Sequence, residues 1–323
     1  MTQRPRLLAV LKQTLKEAGE DKIPRLAAAL SYYTVLSLSP LLVVAIAVAG
    51  LVFGQQAAQG QITQQLQQVF GPEAGDALQT LVAHANKPGA GIVSTVVGAV
   101  VLLFGASGVF GELQDSLNLI WEVTPRPNRG IKGIIRDRFF SFSMVLGVAF
   151  LLLVSLVISA ALSAVGNWFD SALGLPTWIW HGVNLAVSLL VASVLFGLVF
   201  KVVPDVKVDW SAVWVGATVT ALLFTIGKYL IGLYVGKAGV ASPYGAAGSL
   251  MVIVVWVYYS AHLLFFGAEF TQVYARASGA KVEPDRNAVD LNEAARIEQG
   301  IPHADVKAEL AKGAPWNSNQ HHA

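Results

Sequence analysis

The hydrophobic positions of the chain fall into six long blocks separated by more polar segments. The blocks cover about 27–53, 92–110, 139–165, 179–203, 212–235 and 250–274. Each is about 20 residues or longer, the length an α-helix needs to cross roughly 30 Å of hydrocarbon at 1.5 Å per residue. Strands of a β-barrel would alternate apolar and polar residues instead. The pattern therefore predicts an all-α, polytopic membrane helix bundle with six transmembrane helices.

Lysine and arginine are distributed unevenly among the segments between these blocks. Six lie before residue 26 and five between residues 126 and 138, whereas the first and fifth connections contain only Lys87 and Lys237. Because basic connections stay in the cytoplasm, this alternation predicts an even number of spans with both the N- and C-termini cytoplasmic. The orientation and the number of blocks are independent observations, and they agree.

Composition agrees with a membrane protein. Of the 323 residues, 54% are hydrophobic and 13% are charged, against roughly 25% charged in a soluble domain. Cysteine is absent, which excludes disulfides, thiolate nucleophiles and cysteine-based zinc sites. Three regions follow from the pattern: residues 1–25, a six-span membrane domain at 26–276, and a polar tail at 277–323.

The region 1–25 is predicted to be a cytoplasmic, basic amphipathic helix. Apolar residues recur at helical spacing and basic residues surround them, which is typical of a helix lying on an anionic membrane surface. An ordinary solvated helix is the alternative. The apolar positions are Leu7, Leu8, Leu11, Leu15 and Ala18, and the basic ones are Arg4, Arg6, Lys12 and Lys16.

Two further segments outside the spans have a distinct composition. The glutamine-rich segment 54–91 contains two short amphipathic patterns separated by Gly71-Pro72, which predicts a periplasmic helical loop over the bundle. The segment 277–323 is polar and contains three prolines, so we expect a mostly disordered cytoplasmic tail with a short helix near 292–299.

Ionisable residues within the spans are the candidates for function, because each costs roughly 2.5–3.5 kcal/mol at the centre of a helix. Lys228 lies deep in the fifth block with Thr225 one turn away, and this polar stripe is expected to face the bundle interior. In the sixth block Tyr258, His262 and Glu269 share one helical face. The alternatives are a neutral, hydrogen-bonded His262, and a structural salt bridge or an interface carboxylate for Glu269.

Two more polar groups are candidates to line a substrate pathway. Glu112 and Asp115 are neighbours at the end of the second block, where a salt-bridge network with the basic segment 126–138 is the simpler interpretation. Ser37 and Pro40 belong to a polar, kinked part of the first block, which is suited to lining a cavity or to hydrogen bonding between helices.

Motifs of soluble active sites are missing from the sequence. It contains no phosphate loop, dinucleotide fingerprint, zinc-binding His-Glu helix or nucleophile elbow. Its acidic residues are scattered over helix ends and the tail, whereas a nuclease needs clustered metal ligands. We therefore expect no enzyme activity, no catalytic or metal-binding residues, no cofactor and no nucleic-acid partner.

Short motifs in a fixed order along 26–276 resemble the YihY/BrkB family of bacterial inner-membrane proteins. The matching stretches are Leu30-Ser31-Tyr32-Tyr33, Ser37-Leu38-Ser39-Pro40, Leu117-Asn118-Leu119-Ile120-Trp121, Val203-Pro204, Gly216-Ala217, Gly227-Lys228, Tyr244-Gly245-Ala246, Val255-Trp256-Val257-Tyr258 and Gly267-Ala268-Glu269. The resemblance implies six spans in a bacterial inner (plasma) membrane and directs attention to Lys228 and Glu269. Family labels include a virulence factor, lipopolysaccharide export and an older ribonuclease name; the last conflicts with the missing catalytic residues.

These observations favour transport or translocation of a small or amphipathic substrate, such as a lipid or envelope precursor. The pathway would be lined by the first, fifth and sixth spans. A non-transporting structural or assembly protein of the envelope is the alternative, and a membrane-bound hydrolase or ribonuclease is a third hypothesis. Membrane lipids are the expected partners, and homo-oligomerisation is compatible with the sequence.

Overall fold

The computed structural model describes residues 7–37, 54, 60, 108–126, 177–238, 248–286, 288–304 and 306–307. Its helices are α1 (Leu7–Glu20), α2 (23–37), α3 (108–120), α4 (Thr177–Val202), α5 (Trp210–Ala238), α6 (Gly248–Ala277) and α7 (Glu293–Glu298). Its strands are β1 (Val123–Pro125), β2 (Val206–Val208), β3 (Val282–Pro284) and β4 (Ala288–Asp290).

Three helices in the described part of the chain are long and apolar enough to cross a membrane. Their apolar windows are Leu185–Val202 in α4, Trp210–Ile231 in α5 and Met251–Ala277 in α6. They coincide with the predicted fourth, fifth and sixth spans. α2 and α3 cover only parts of the first and second predicted spans; the third span and most of the 54–91 loop lie outside the described residues. The number of six spans and the orientation stay predictions.

α5 and α6 pack closely because glycine and threonine alternate at their crossing. A Cβ atom added to Gly216 of α5 would lie 1.8 Å from Thr271 Oγ1, and one added to Gly267 of α6 would lie 2.0 Å from Thr220 Oγ1. The threonine hydroxyls donate back to their own helices, to the Gly216 and Gly267 carbonyls. Each helix thus offers a glycine to the other's threonine, an arrangement of small residues typical of membrane helix pairs.

Two short antiparallel ladders join distant parts of the chain at one end of the bundle. β1 pairs with β4, with Thr124 opposite Val289, and β2 pairs with β3, with Lys207 opposite Glu283. We call this the strand end. The chain is therefore mainly helical but not purely all-α: the connections after α3 and α4 are tied to the segment after α6.

The main hydrophobic core lies at the strand end. It brings together residues from α2 to α6 and the adjoining strands, including Leu117, Phe200, Val213 and Phe265. α1 packs across α6, where Val10 meets Phe270 and Val273. The exposed leucines of α1 lie away from this contact.

The described residues after α6, 278–286 and 288–304, are structured, in contrast to the expectation of a mostly disordered tail. They contain β3, β4 and α7, and the expected helix near 292–299 is confirmed. Asn292 caps α7, since its side chain accepts a hydrogen bond from the Ala295 amide. Residues 308–323 lie outside the described residues.

Candidate functional site at the strand end

Glu269 is the most deeply buried carboxyl group of the described spans. Its side chain is on α6, eight residues before Ala277, and the residue is 0% exposed. Neither carboxylate oxygen has a hydrogen-bond partner of normal geometry among the described residues, and the side chain that interacts with it as a hydrogen-bonding group is another acid, Glu17. The charges that act on it most strongly are carboxyl groups, those of Asp21, Glu17 and Glu122. Glu269 therefore lies among acidic neighbours rather than in the salt bridge that the alternative interpretation required.

Two arginines of this region pair with other acids. The guanidinium of Arg276 donates to the Glu122 carboxylate, and that of Arg296 donates to Asp21. His303 Nε2 lies 3.2 Å from Glu122 Oε1. The pairs Glu122–Arg276 and Asp21–Arg296 thus link α1, the end of α3, α6 and the segment after it, and Glu269 takes part in neither.

Glu122 connects the end of α3 to the segment after α6. Its φ of 54° is in the left-handed region, which costs about 1–2 kcal/mol for a residue with a side chain. Its carbonyl accepts from the Leu291 amide at 2.7 Å, so main chain and side chain both hold the following segment. Burial alone would raise the pKa of Glu122, but the hydrogen bond with His303 and the charge of Arg276 outweigh it and lower this pKa to about 2.

Asp21 and Arg296 form a buried ion pair between the end of α1 and α7. The two atoms, Asp21 Oδ1 and Arg296 Nη2, are 2.5 Å apart, and the side chains are 5% and 2% exposed. Burial raises the pKa of Asp21 to about 6, although the charge and hydrogen bond of Arg296 act in the opposite direction. The pair fixes α1 to the segment after α6.

Asn118 makes a third long-range link that the sequence did not predict. Its amide nitrogen donates to Asp205 Oδ2 at 3.0 Å, and its carbonyl oxygen accepts from the Asp205 main-chain amide at 2.7 Å. These bonds tie α3 to the connection between α4 and α5. Asn118 belongs to the matched stretch Leu117–Trp121, and a polar residue between Leu117 and Leu119 was the signal in the sequence that could have identified it.

Lys228 and Thr225 are not brought to the strand end. Lys228 is exposed, with Nζ 5.9 Å from the Tyr229 ring centroid, so the expected bundle-facing orientation is wrong. It shares its side of α5 with the exposed residues Ile226, Tyr229 and Leu230. Thr225 is half-buried and donates to the Ala221 carbonyl of its own helix.

Tyr258 and His262 lie on α6 in contact with each other but away from Glu269. Their ring centroids are 6.0 Å apart in an edge-on arrangement, and both side chains are half-buried. Glu269 is seven residues beyond His262, about 10 Å along the helix axis. The three residues thus lie on one helix, and their side chains do not converge on one point.

The remaining candidates are dispersed. Glu112 is half-buried and Asp115 is exposed on α3, and Arg126 donates to the Ala288 carbonyl instead of pairing with them. Ser37 is buried near the end of the described part of α2, and Pro40 lies outside the described residues. Among the described residues, no three His, Cys, Asp or Glu side chains are grouped so as to hold a metal ion.

A comparison with protein families and one with individual known proteins both match this chain over most of its length. The family described as Virulence factor BrkB matches residues 14–292. A UPF0761 membrane protein of Ralstonia nicotianae is 28% identical over 276 residues, which are 82% of this chain and 58% of that protein. One of Tolumonas auensis is 29% identical over 262 residues, 79% of this chain and 82% of that protein. The chain thus spans little more than half of the Ralstonia protein. No solved structure matches it.

Proposed function

Because the chain belongs to the Virulence factor BrkB family and is a membrane protein, we propose that it translocates a small or amphipathic substrate, such as a lipid or envelope precursor, across a bacterial inner membrane. The resemblance seen in the sequence motifs is confirmed by the family match. The step from membrane protein to transport is supported by one observation, the position of Glu269.

A carboxyl group inside a membrane span is costly unless something compensates for it. In a purely structural role, Glu269 would be expected to have a cationic partner, whereas its hydrogen-bonding neighbour is the carboxyl of Glu17, another acid. The nearby Arg276 and Arg296 are instead directed at Glu122 and Asp21. A group that must meet a proton, a cation or a polar part of a substrate only transiently fits this position.

The position of Glu269 also places it where helices and connections meet. α1 crosses α6 at this level, and the carboxyl groups of Glu17 and Asp21 on α1 and its following turn are close to Glu269. A shift of α1 would expose Glu269 to water. We infer that α1 covers the inner end of a substrate pathway whose walls include α6.

The test is a variant that keeps the shape of Glu269 and removes its charge. The purified protein is reconstituted in vesicles containing a fluorescent phospholipid, and translocation is read as the fraction of label that an external reductant quenches. We expect Glu269→Gln to lose translocation, and to lose complementation of a deletion strain under envelope stress, with its melting temperature unchanged. Glu283→Gln, an exposed carboxyl on β3, is the matched control and is expected to stay active.

Wild-type vesicles that quench no more label than protein-free ones, together with a Glu269→Gln protein that complements fully, would contradict the proposal. The same result would favour the second candidate, a non-transporting structural or assembly protein. The exposed side of α5 supports that candidate, since Leu222, Ile226, Tyr229 and Leu230 surround Lys228 there and offer a surface for a partner helix.

A further inference from the structure

A pocket of about 290 Å³ lies between the end of α1 and the segment after α7. Its wall on one side is formed by Lys16, Gly19 and Glu20, followed by Lys22. The opposite wall includes Gly300 and Lys307. Three of these residues are lysines and one is acidic, so the pocket carries an excess of positive charge.

The lysine ammonium groups retain binding capacity. Lys22 donates one hydrogen bond to the Gly300 carbonyl, which leaves two of its three N–H groups. Lys307 pairs with no acidic side chain among the described residues, and Lys16 makes only a loose contact with Glu20 at 3.5 Å. A tetrahedral anion with several acceptor oxygens matches such a set of donors, and phosphate is an anion that lysine commonly binds as a point charge.

The pocket continues an exposed apolar stripe on α1. Leu11, Leu15 and Gly19 follow one another at four-residue intervals, so the stripe leads directly to the glycine in the pocket wall. Leu8 extends the stripe in the other direction and is 83% exposed. The side of α1 with Val10 and Thr14 is buried instead. Apolar surface beside a basic pocket matches the two parts of a charged lipid.

We propose that this pocket binds the phosphate of an anionic phospholipid headgroup, with the acyl chains lying along the exposed leucines of α1. The volume is near the lower end of the roughly 300–1,000 Å³ that is usual for small-molecule pockets, so it suits a headgroup with its phosphate and leaves the acyl chains outside. A negatively charged inner leaflet attracts basic groups near its surface. The site would anchor α1 to the membrane whether or not the protein transports a substrate.

Gly19 offers a direct way to block the pocket. No atom lies within 4 Å of a Cβ built on Gly19, so a leucine there is accommodated by the helix and projects into free space. The full chain, purified in a neutral detergent, is titrated with phosphatidylglycerol, with phosphatidylcholine and with glycerol 1-phosphate, and binding is followed by native mass spectrometry. We expect phosphatidylglycerol to bind in preference to the other two.

Gly19→Leu is expected to abolish this preference at an unchanged melting temperature. Gly182→Leu is the control and is expected to keep the preference, because Gly182 is an exposed glycine of α4 with equal free space around it.

Lys16→Gln and Lys307→Gln should each weaken phosphatidylglycerol binding about fivefold. Lys12→Gln makes the same charge change outside the pocket and should leave binding unchanged. Equal losses in Lys12→Gln, or no preference for phosphatidylglycerol in the wild type, would overturn the site. If glycerol 1-phosphate binds as tightly as phosphatidylglycerol and Gly19→Leu abolishes its binding, the pocket binds a free phosphate ester and the lipid is not its ligand.

Discussion

At the scale of single residues, the acids of the pairs Glu122–Arg276 and Asp21–Arg296 have pKa values shifted in opposite directions. The pKa of Glu122 is lowered to about 2, since His303 and Arg276 together outweigh its burial. The pKa of Asp21 is raised to about 6, since Arg296 does not fully compensate for burial. Asp21 therefore takes up a proton more readily than an ordinary aspartate, whereas the guanidinium of Arg296 stays charged.

This difference predicts unequal effects of breaking the Asp21–Arg296 pair. Asp21→Asn leaves a buried, permanently charged guanidinium and should cost about 3–5 kcal/mol of stability. Arg296→Met leaves a carboxyl that can take up a proton, so its cost should be smaller. Thermal unfolding in detergent measures both, and the double variant is expected to recover much of the loss. Equal costs for the two single variants would contradict the buried-pair interpretation.

The stability of the Arg296→Met protein should fall as the pH rises. A carboxyl whose folded-state pKa exceeds its unfolded value contributes stability that is present at low pH and is lost as pH rises through the folded pKa. With Arg296 removed, the pKa of Asp21 rises further, because its burial remains and the lowering effect of the Arg296 charge and hydrogen bond is lost. The Arg296→Met protein is thus expected to lose more stability at about pH 8 than at about pH 5.

At the scale of elements, the contact between α5 and α6 depends on residues with no room for a methyl group. Gly216→Ala would force its Cβ against Thr271 and should cost about 1–3 kcal/mol, measured as a lower melting temperature. Gly182→Ala is the matched control, because no atom lies within 4 Å of its added Cβ, and it should be neutral or slightly stabilising. Gly216→Ala combined with Thr271→Gly should restore part of the loss; no recovery would show that the clash is not its cause.

The sequence predicted the elements that depend on local hydropathy and missed those that depend on contacts between distant residues. The bounds of α4, α5 and α6 agree with the predicted spans to within a few residues, because hydropathy is a local property of the chain. The strands were missed because each has three residues and its partner is far away, as for Val123 and Asp290. A three-residue strand has too little periodicity to recognise.

The candidate site was predicted only in part for the same reason. Glu269 was identified from its location inside an apolar block, which a single segment of sequence reveals. Its surroundings were not predictable, since Asp21 and Arg296 are 275 positions apart and Glu122 and Arg276 are 154 apart. Lys228 was misplaced because a helical pattern that is apolar all round gives no direction for the interior of the bundle.

At the scale of the whole molecule, the ladders require several segments to lie on one side of the membrane. The ends of α3 and α4 and the segment after α6 meet at the strand end through β1–β4 and β2–β3. α1 is joined to the same end by the Asp21–Arg296 pair. Lys207 and Lys281 are exposed there. The basic residues of the sequence predict that this side is the cytoplasm.

The last prediction tests that orientation with single cysteines in a chain that contains none of its own. Cysteines at Lys207 and Lys281 should be protected in intact cells from a thiol reagent that does not cross the inner membrane, and cysteines at Lys87 and Lys237 should react. A permeant reagent should label all four, which controls for accessibility of the thiol itself. The reverse pattern would place the strand end in the periplasm. Different behaviour of Lys207 and Lys281 would contradict the β2–β3 ladder, because that ladder holds the two segments on one side of the membrane.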